Sequence, residues 1–153
     1  MTRMREIRQG TFGELDGATV FALARLRQSV FVVEQECPYP DLDGHDIDPE
    51  TKHFWVEGEG AAEAIACLRV LRDGESEGGW RIGRVCCVPA ERGTGLSGRL
   101  MTAALAAVGP EADVVLDSQT YAAGFYRKYG FEEAGEEFIE DGIAHVPMRR
   151  AGK

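Results

Sequence analysis

Val85-Cys86-Cys87-Val88-Pro89 is followed, two residues on, by Arg92-Gly93-Thr94-Gly95-Leu96-Ser97-Gly98. The first run is apolar and closed by proline, which reads as a strand and its end. The second is a glycine-rich turn. It opens into Arg99 to Val108, where Leu100, Met101, Ala104, Leu105 and Val108 share one helical face until Gly109 and Pro110 stop the helix. Glycine lets the backbone approach a bulky anion, and a helix N-terminus offers free amides and the positive end of a dipole. A strand, a glycine loop and a helix start in that order suit a phosphate or pyrophosphate. The competing reading is a tight turn with no ligand.

Gly93, Gly95 and Gly98 also spell G-x-G-x-x-G, and Asp117 lies about 20 residues on, as the dinucleotide fingerprint asks. That reading, an oxidoreductase, needs further strand–helix–strand units, and too few residues follow Asp117. It also leaves Arg92 without a role. A kinase-type P-loop fails because no Gly-Lys-Ser/Thr follows.

Working outward, Arg5 to Thr11 reads as a first strand. Asp16 is a helix N-cap, and Val20, Leu23, Ala24, Val30 and Phe31 recur at helical spacing behind it. Cys37 to Glu50 is rich in Pro, Asp and Gly and reads as an irregular loop. His53 to Gly58, Ala64 to Arg72 and Trp80 to Val88 are three close strands, an antiparallel meander with a turn at Asp73 to Gly79. Val114 to Leu116 is a short buried strand, and Ala122 to Tyr129 a short helix ended by Gly130. Phe131 to Glu140 and His145 to Arg150 form a strand pair around the turn Asp141-Gly142. The expectation is one α+β domain over residues 1–153, built on a mixed, mostly antiparallel sheet.

Composition narrows the function. The chain has 153 residues, 44% hydrophobic, which is one core's worth. A net charge of -9 argues against a nucleic-acid surface and suits a cationic second substrate. No stretch reads as a membrane span or a secretory signal, so a cytoplasmic location is expected. Cys37, Cys67, Cys86 and Cys87 read as reduced, packed thiols; no CxxC suggests a metal. Asp41, Asp43, Asp46 and Asp48 miss the calcium-loop spacing, with His45 where an acid is needed, and read as a solvated acidic loop beside the acceptor. No metal site is expected.

At Arg92-x-x-Gly95-x-Ser97 the chain resembles the GNAT family of N-acetyltransferases, whose cofactor motif is Gln/Arg-x-x-Gly-x-Gly/Ala after a strand; Ser97 stands in the last place. Ala122-x-x-Phe125-Tyr126-x-x-x-Gly130-Phe131 resembles the family's second element, a short helix beside the cofactor sulfur. Arg27-x-x-Val30-Phe31-Val32-x-Glu34-Gln35-x-Cys37-x-Tyr39, Asp43-Gly44-x-Asp46, Gln119-x-Tyr121 and Glu136-x-Phe138-x-Glu140-Asp141-Gly142-Ile143-x-His145 match its ElaA-type subgroup.

The resemblance implies a sheet splayed around coenzyme A with helices on both faces. It implies an acetyl group moved from acetyl-coenzyme A to an amine by direct attack in a ternary complex. The acceptor would be a small amine or a peptide N-terminus, and the family often forms homodimers. Pantetheine would pair with Cys86, Cys87 and Val88, where a backbone amide near Val88 would polarise the thioester. The pyrophosphate would rest on Arg92, Gly93, Thr94, Gly95, Leu96, Ser97 and Gly98, with Gln119 and Phe125 also on the cofactor. Tyr126 would protonate or hydrogen-bond the departing thiolate. The base remains open among Glu34, His53, Glu140 and His145, and Glu34 reads either as a carboxylate buried beside the acceptor or as an exposed acid at its helix end. A non-catalytic acetyl-coenzyme A-binding module is the remaining alternative.

Overall fold

A computed structural model describes residues 5–74 and 79–153; Met1 to Met4 and the middle of the expected Asp73–Gly79 turn lie outside the described residues. The frame is an eight-stranded sheet. Strands β1 (Arg8–Thr11), β2 (Lys52–Glu57), β3 (Ala64–Arg72) and β4 (Trp80–Cys87) follow one another antiparallel, as the meander reading expects. β1 begins at Arg8 rather than Arg5. β5 (Val114–Gln119) lies parallel to β4, and β8 (Ile143–Arg150) antiparallel to β5. The final strand pair is more broken than its sequence suggests. Its first arm divides into β6 (Glu132–Glu133) and β7 (Phe138–Glu140), both paired with β8. Asp141 and Gly142 both take left-handed φ, 51° and 76°, as a tight hairpin turn requires.

One parallel pair in an otherwise antiparallel sheet is not a doubly wound nucleotide domain, so the dinucleotide reading of Gly93, Gly95 and Gly98 loses its architecture. Asp117 reaches Arg81 at 3.2 Å.

β4 and β5 pair only at Trp80 with Val114 and Arg81 with Val115. Beyond those residues they run on to Cys87 and Gln119 without ladder pairing, and a V opens between them. A bulge in β4 adjoins this point: the register against β3 slips between Cys67 and Arg69, and Arg84 takes φ of 54°. Strict alternation would put Ile82 and Cys86 on one face. After the bulge, Ile82 and Cys87 share one core and Cys86 joins the other.

Helices cover both faces. Helix α1 (Gly17–Arg27) starts where Asp16 accepts from the Thr19 amide at 2.8 Å, and continues as a π-helical segment, Gln28–Glu34. Its buried stripe is Ala22, Leu23, Leu26, Arg27 and Val30; Val20 and Ala24, expected inside, are half-buried. It packs on Trp55, Cys67 and Cys86. Helices α2 (Leu96–Val108) and α3 (Ala123–Arg127) cover the other face, with Leu100, Met101 and Ala104 fully buried against Phe54, Leu68 and Val70.

The acidic loop is not a solvated one. Arg27, only 4% exposed, donates to Asp41 at 2.9 Å and to Asp46 at 2.7 Å. Arg69 of β3 holds Asp43 at 2.7 Å and Asp46 at 2.9 Å, and Arg84 reaches Asp41 at 3.0 Å. Tyr39 donates to Asp41 at 2.6 Å. Asp48 alone of the four aspartates stays exposed, accepting from the Glu50 amide. Burial works to raise the Asp46 carboxyl, but the Arg27 fork outweighs it and holds it well below the usual range. Thus three arginines pin the loop to α1, β3 and β4, and desolvated charges persist because each has partners.

His53 belongs to this structure and lies outside the site, against its candidacy as the base. It is 6% exposed and its Nε2 donates to the Asp46 carbonyl at 2.9 Å. Burial lowers its pKa. A lowered folded pKa gives stability that is present above the unfolded value and lost as pH falls through it. Stability should therefore decline first below about 6.5, through His53, and again below about 4, through Asp43 and Asp46. Urea midpoints measured from pH 8 down to pH 3 check both declines. His53→Gln should flatten the first decline, and an unchanged slope would contradict the assignment.

Candidate active site

The V opens into a cavity of about 610 Å³ on the α1 face. A second cavity, of about 810 Å³, lies around the start of α2. Cys87, Arg92, Ser97 and Phe125 belong to both walls, so the two adjoin.

The second cavity is built on the glycine loop. Gly93 and Gly95 have φ of 82° and 90°, which only glycine adopts without strain, and a side chain there would meet open space. Gly95 is the N-cap of α2 and brings no side chain to its first turn, so the first amides keep no cap. Gly93, Gly95, Leu96, Ser97 and Gly98 line this cavity. Thr94 does not: its hydroxyl turns back to the Glu91 carbonyl at 2.5 Å. Among the described residues the loop is therefore a concavity of backbone donors at a helix start.

Cys86, Cys87, Gln119, Phe125, Tyr126, Glu34, Glu140 and His145 line the first cavity. Val88 does not, and its amide donates to the Ile65 carbonyl at 2.9 Å. The polarising amide expected near Val88 is therefore not Val88's own. Ladder alternation turns the backbone of Cys87 toward the V instead, and the Cys87 carbonyl accepts from Arg92 Nε at 3.1 Å.

Tyr126 is 9% exposed, packed edge-on to Phe125 at 5.1 Å and Phe131 at 6.2 Å. Its hydroxyl has no hydrogen-bond partner among the described residues, while the residue faces the cavity. Burial pushes the phenol pKa up, so it stays protonated and acts as a donor. Burial likewise raises the Cys87 thiol, and contact with Cys67 together with burial raises Cys86. Neither is poised as a nucleophile.

His145 stacks on Phe138 at 5.6 Å, and its Nδ1 lies 2.8 Å from the Ile143 carbonyl. A carbonyl only accepts, so Nδ1 carries a proton, and in the neutral ring Nε2 is the nitrogen with the lone pair. Glu34 is the exposed acid of the two readings. It is 41% exposed, and its two oxygens each lie 2.7 Å from a terminal nitrogen of Arg92. That fork lowers its pKa. Glu140 is exposed at the mouth.

Two features escaped the sequence reading. Gln35 and Gln119 exchange amide bonds at 3.4 and 3.3 Å across the cavity. Arg84, at its bulge, forms part of the wall. The available signal was an arginine inside each of three apolar runs, at Arg27, Arg69 and Arg84.

Comparison with known proteins agrees with this geometry. Residues 32–151 match the model of the acetyltransferase (GNAT) domain. A UPF0039 protein of Mycobacterium tuberculosis is 46% identical over 142 residues, covering 91% of this chain and 88% of its own. The crystal structure of an acyl-CoA N-acyltransferase from Pseudomonas aeruginosa superposes with a TM-score of 0.88 at 36% identity, covering 97% of this chain and 100% of its own. Escherichia coli ElaA superposes with a TM-score of 0.87 at 34% identity, covering 96% and 99%.

Proposed function

The chain belongs to the GNAT acetyltransferase family, and we propose that it moves an acetyl group from acetyl-coenzyme A to a cationic amine. The observation that carries this is the V between β4 and β5. It runs from the uncapped start of α2 to the unpartnered hydroxyl of Tyr126. Residues 1–153 act as a single N-acetyltransferase domain. A cytoplasmic, reducing setting suits its four free thiols.

In this reading the amides of Gly93 and of Gly95 to Gly98, with the Arg92 guanidinium, hold the pyrophosphate, while the Thr94 amide stays on the Glu91 carbonyl. Cys86 and Cys87 provide the edge along which pantetheine lies, with the Cys87 amide toward the thioester carbonyl, while Val88 is turned to β3. Gln119 and Phe125 complete that wall. His145 Nε2 takes the proton that the amine gives up, and the amine nitrogen attacks the carbonyl carbon directly. As the carbon–sulfur bond breaks, Tyr126 donates a hydrogen bond to the departing thiolate. Glu34, forked to Arg92, is the poorer base.

Charge around the first cavity favours a cationic acceptor. Arg69, Arg81, Arg84 and Arg92 all line it, and each is neutralised by a carboxylate. Glu140 and Asp141 line it too and have no cationic partner among the described residues. The experiment is amine-dependent release of the coenzyme A thiol. Amines with a second positive charge should turn over ahead of uncharged-tail amines of equal length. Tight acetyl-coenzyme A binding with no turnover over the whole panel would leave a non-catalytic binding module and end the transfer reading.

A further inference from the structure

Arg92 is tied to three parts of the site at once. Its Nε donates to the Cys87 carbonyl on the edge of the V, its two terminal nitrogens grip Glu34, and it lines both cavities. A guanidinium fork pairs in this way with a carboxylate or with a phosphate, and one edge serves one anion at a time. The carboxylate of Glu34 therefore occupies the position on Arg92 that an incoming phosphate would need. Its neighbour Gln35 bonds Gln119 at the end of β5. The last residue of the π-helical segment and its C-cap thus link both arms of the V, Glu34 through Arg92 and Gln35 through Gln119.

We propose that Glu34 is a positioning residue that stands in for the cofactor phosphate: it holds Arg92 folded onto the V and yields it when acetyl-coenzyme A binds. The exchange trades one anion for another on the same guanidinium. It frees the Cys87 carbonyl for pantetheine and releases the segment from the β4 arm, while Gln35 keeps it on the β5 arm. Both partners of the Glu34–Arg92 pair are about two-fifths exposed, at 41% and 43%, so the internal bond is weak enough to give way. This inference rests on the acetyl-coenzyme A reading and adds to it that the protein carries its own competitor.

The test is calorimetric titration with acetyl-coenzyme A of the wild-type protein, Glu34→Gln, Arg92→Gln and the double variant. Glu34→Gln should bind about three- to fivefold more tightly than wild type, the ceiling expected for an exposed ion pair. In the Arg92→Gln background the same substitution should give no gain. A merely structural role for Glu34 would weaken binding when it is removed. Unchanged or weaker binding by Glu34→Gln overturns the proposal and leaves the cofactor reading standing. A gain that persists without Arg92 also overturns it, because Glu34 would then act by bare charge repulsion. Absence of binding by the wild-type protein is the separate outcome in which the cofactor reading itself fails.

Discussion

Tyr126→Phe should lower kcat by about 100-fold and leave acetyl-coenzyme A affinity within about twofold. The hydroxyl has no partner among the described residues, so its removal orphans nothing. The ring contacts to Phe125 and Phe131 survive in phenylalanine. In the proposed mechanism, what is lost is the hydrogen-bond donor to the departing thiolate. Because burial holds the phenol protonated, this loss should be independent of pH through the neutral range. Steady-state kinetics against a saturating amine, with affinity measured separately, separates this from a packing effect. Full turnover by Tyr126→Phe would remove Tyr126 from the mechanism and return it to the core as an ordinary aromatic.

Arg27→Ala should cost about 3–5 kcal/mol, the scale for breaking a buried ion pair by deleting one partner. Arg27 donates to Asp41, to the Asp41 carbonyl and to both oxygens of Asp46, so its loss leaves desolvated carboxylates without their main cation. For a chain of this size that is a fall in Tm of roughly 10 °C. The loop from Cys37 to Glu50 should lose its order first, and with it Tyr39 and Arg84 on the cavity wall. Arg92→Ala is the control: its exposed pair should cost under about 1 kcal/mol. Thermal denaturation of both variants decides. A loss of less than about 1 kcal/mol at Arg27 would mean the network contributes little.

The parts legible in the sequence are those encoded by neighbours in the chain. β3 follows the continuous apolar run Ala64 to Arg72, and the last hairpin follows Asp141-Gly142, whose residues accept the left-handed conformation a tight turn needs. The start of α2 follows its glycines. The glycine loop and Tyr126, which line the two cavities, were legible for the same reason: each is a short motif with its own geometry. What stayed hidden depends on distant partners. Asp41, Asp43 and Asp46 look like solvated acids until Arg69 and Arg84 come in from two strands, 26 and 43 residues away along the chain. Glu34 reads as either an exposed or a buried helix-end carboxylate, and nothing near it in the chain announces its partner Arg92, 58 residues on. The bulge at Arg84 leaves no mark in composition, yet it decides that Cys87 and not Cys86 shares a core with Ile82.

The most direct measurement is titration of the purified protein with acetyl-coenzyme A, with NAD as the control. One-to-one binding of acetyl-coenzyme A, accompanied by thermal stabilisation and with no response to NAD, is the predicted result. Absence of heat and of stabilisation with acetyl-coenzyme A, or a preference for NAD, would mean that the loop from Arg92 to Gly98 does not hold this cofactor, and the transfer reading would fall with it.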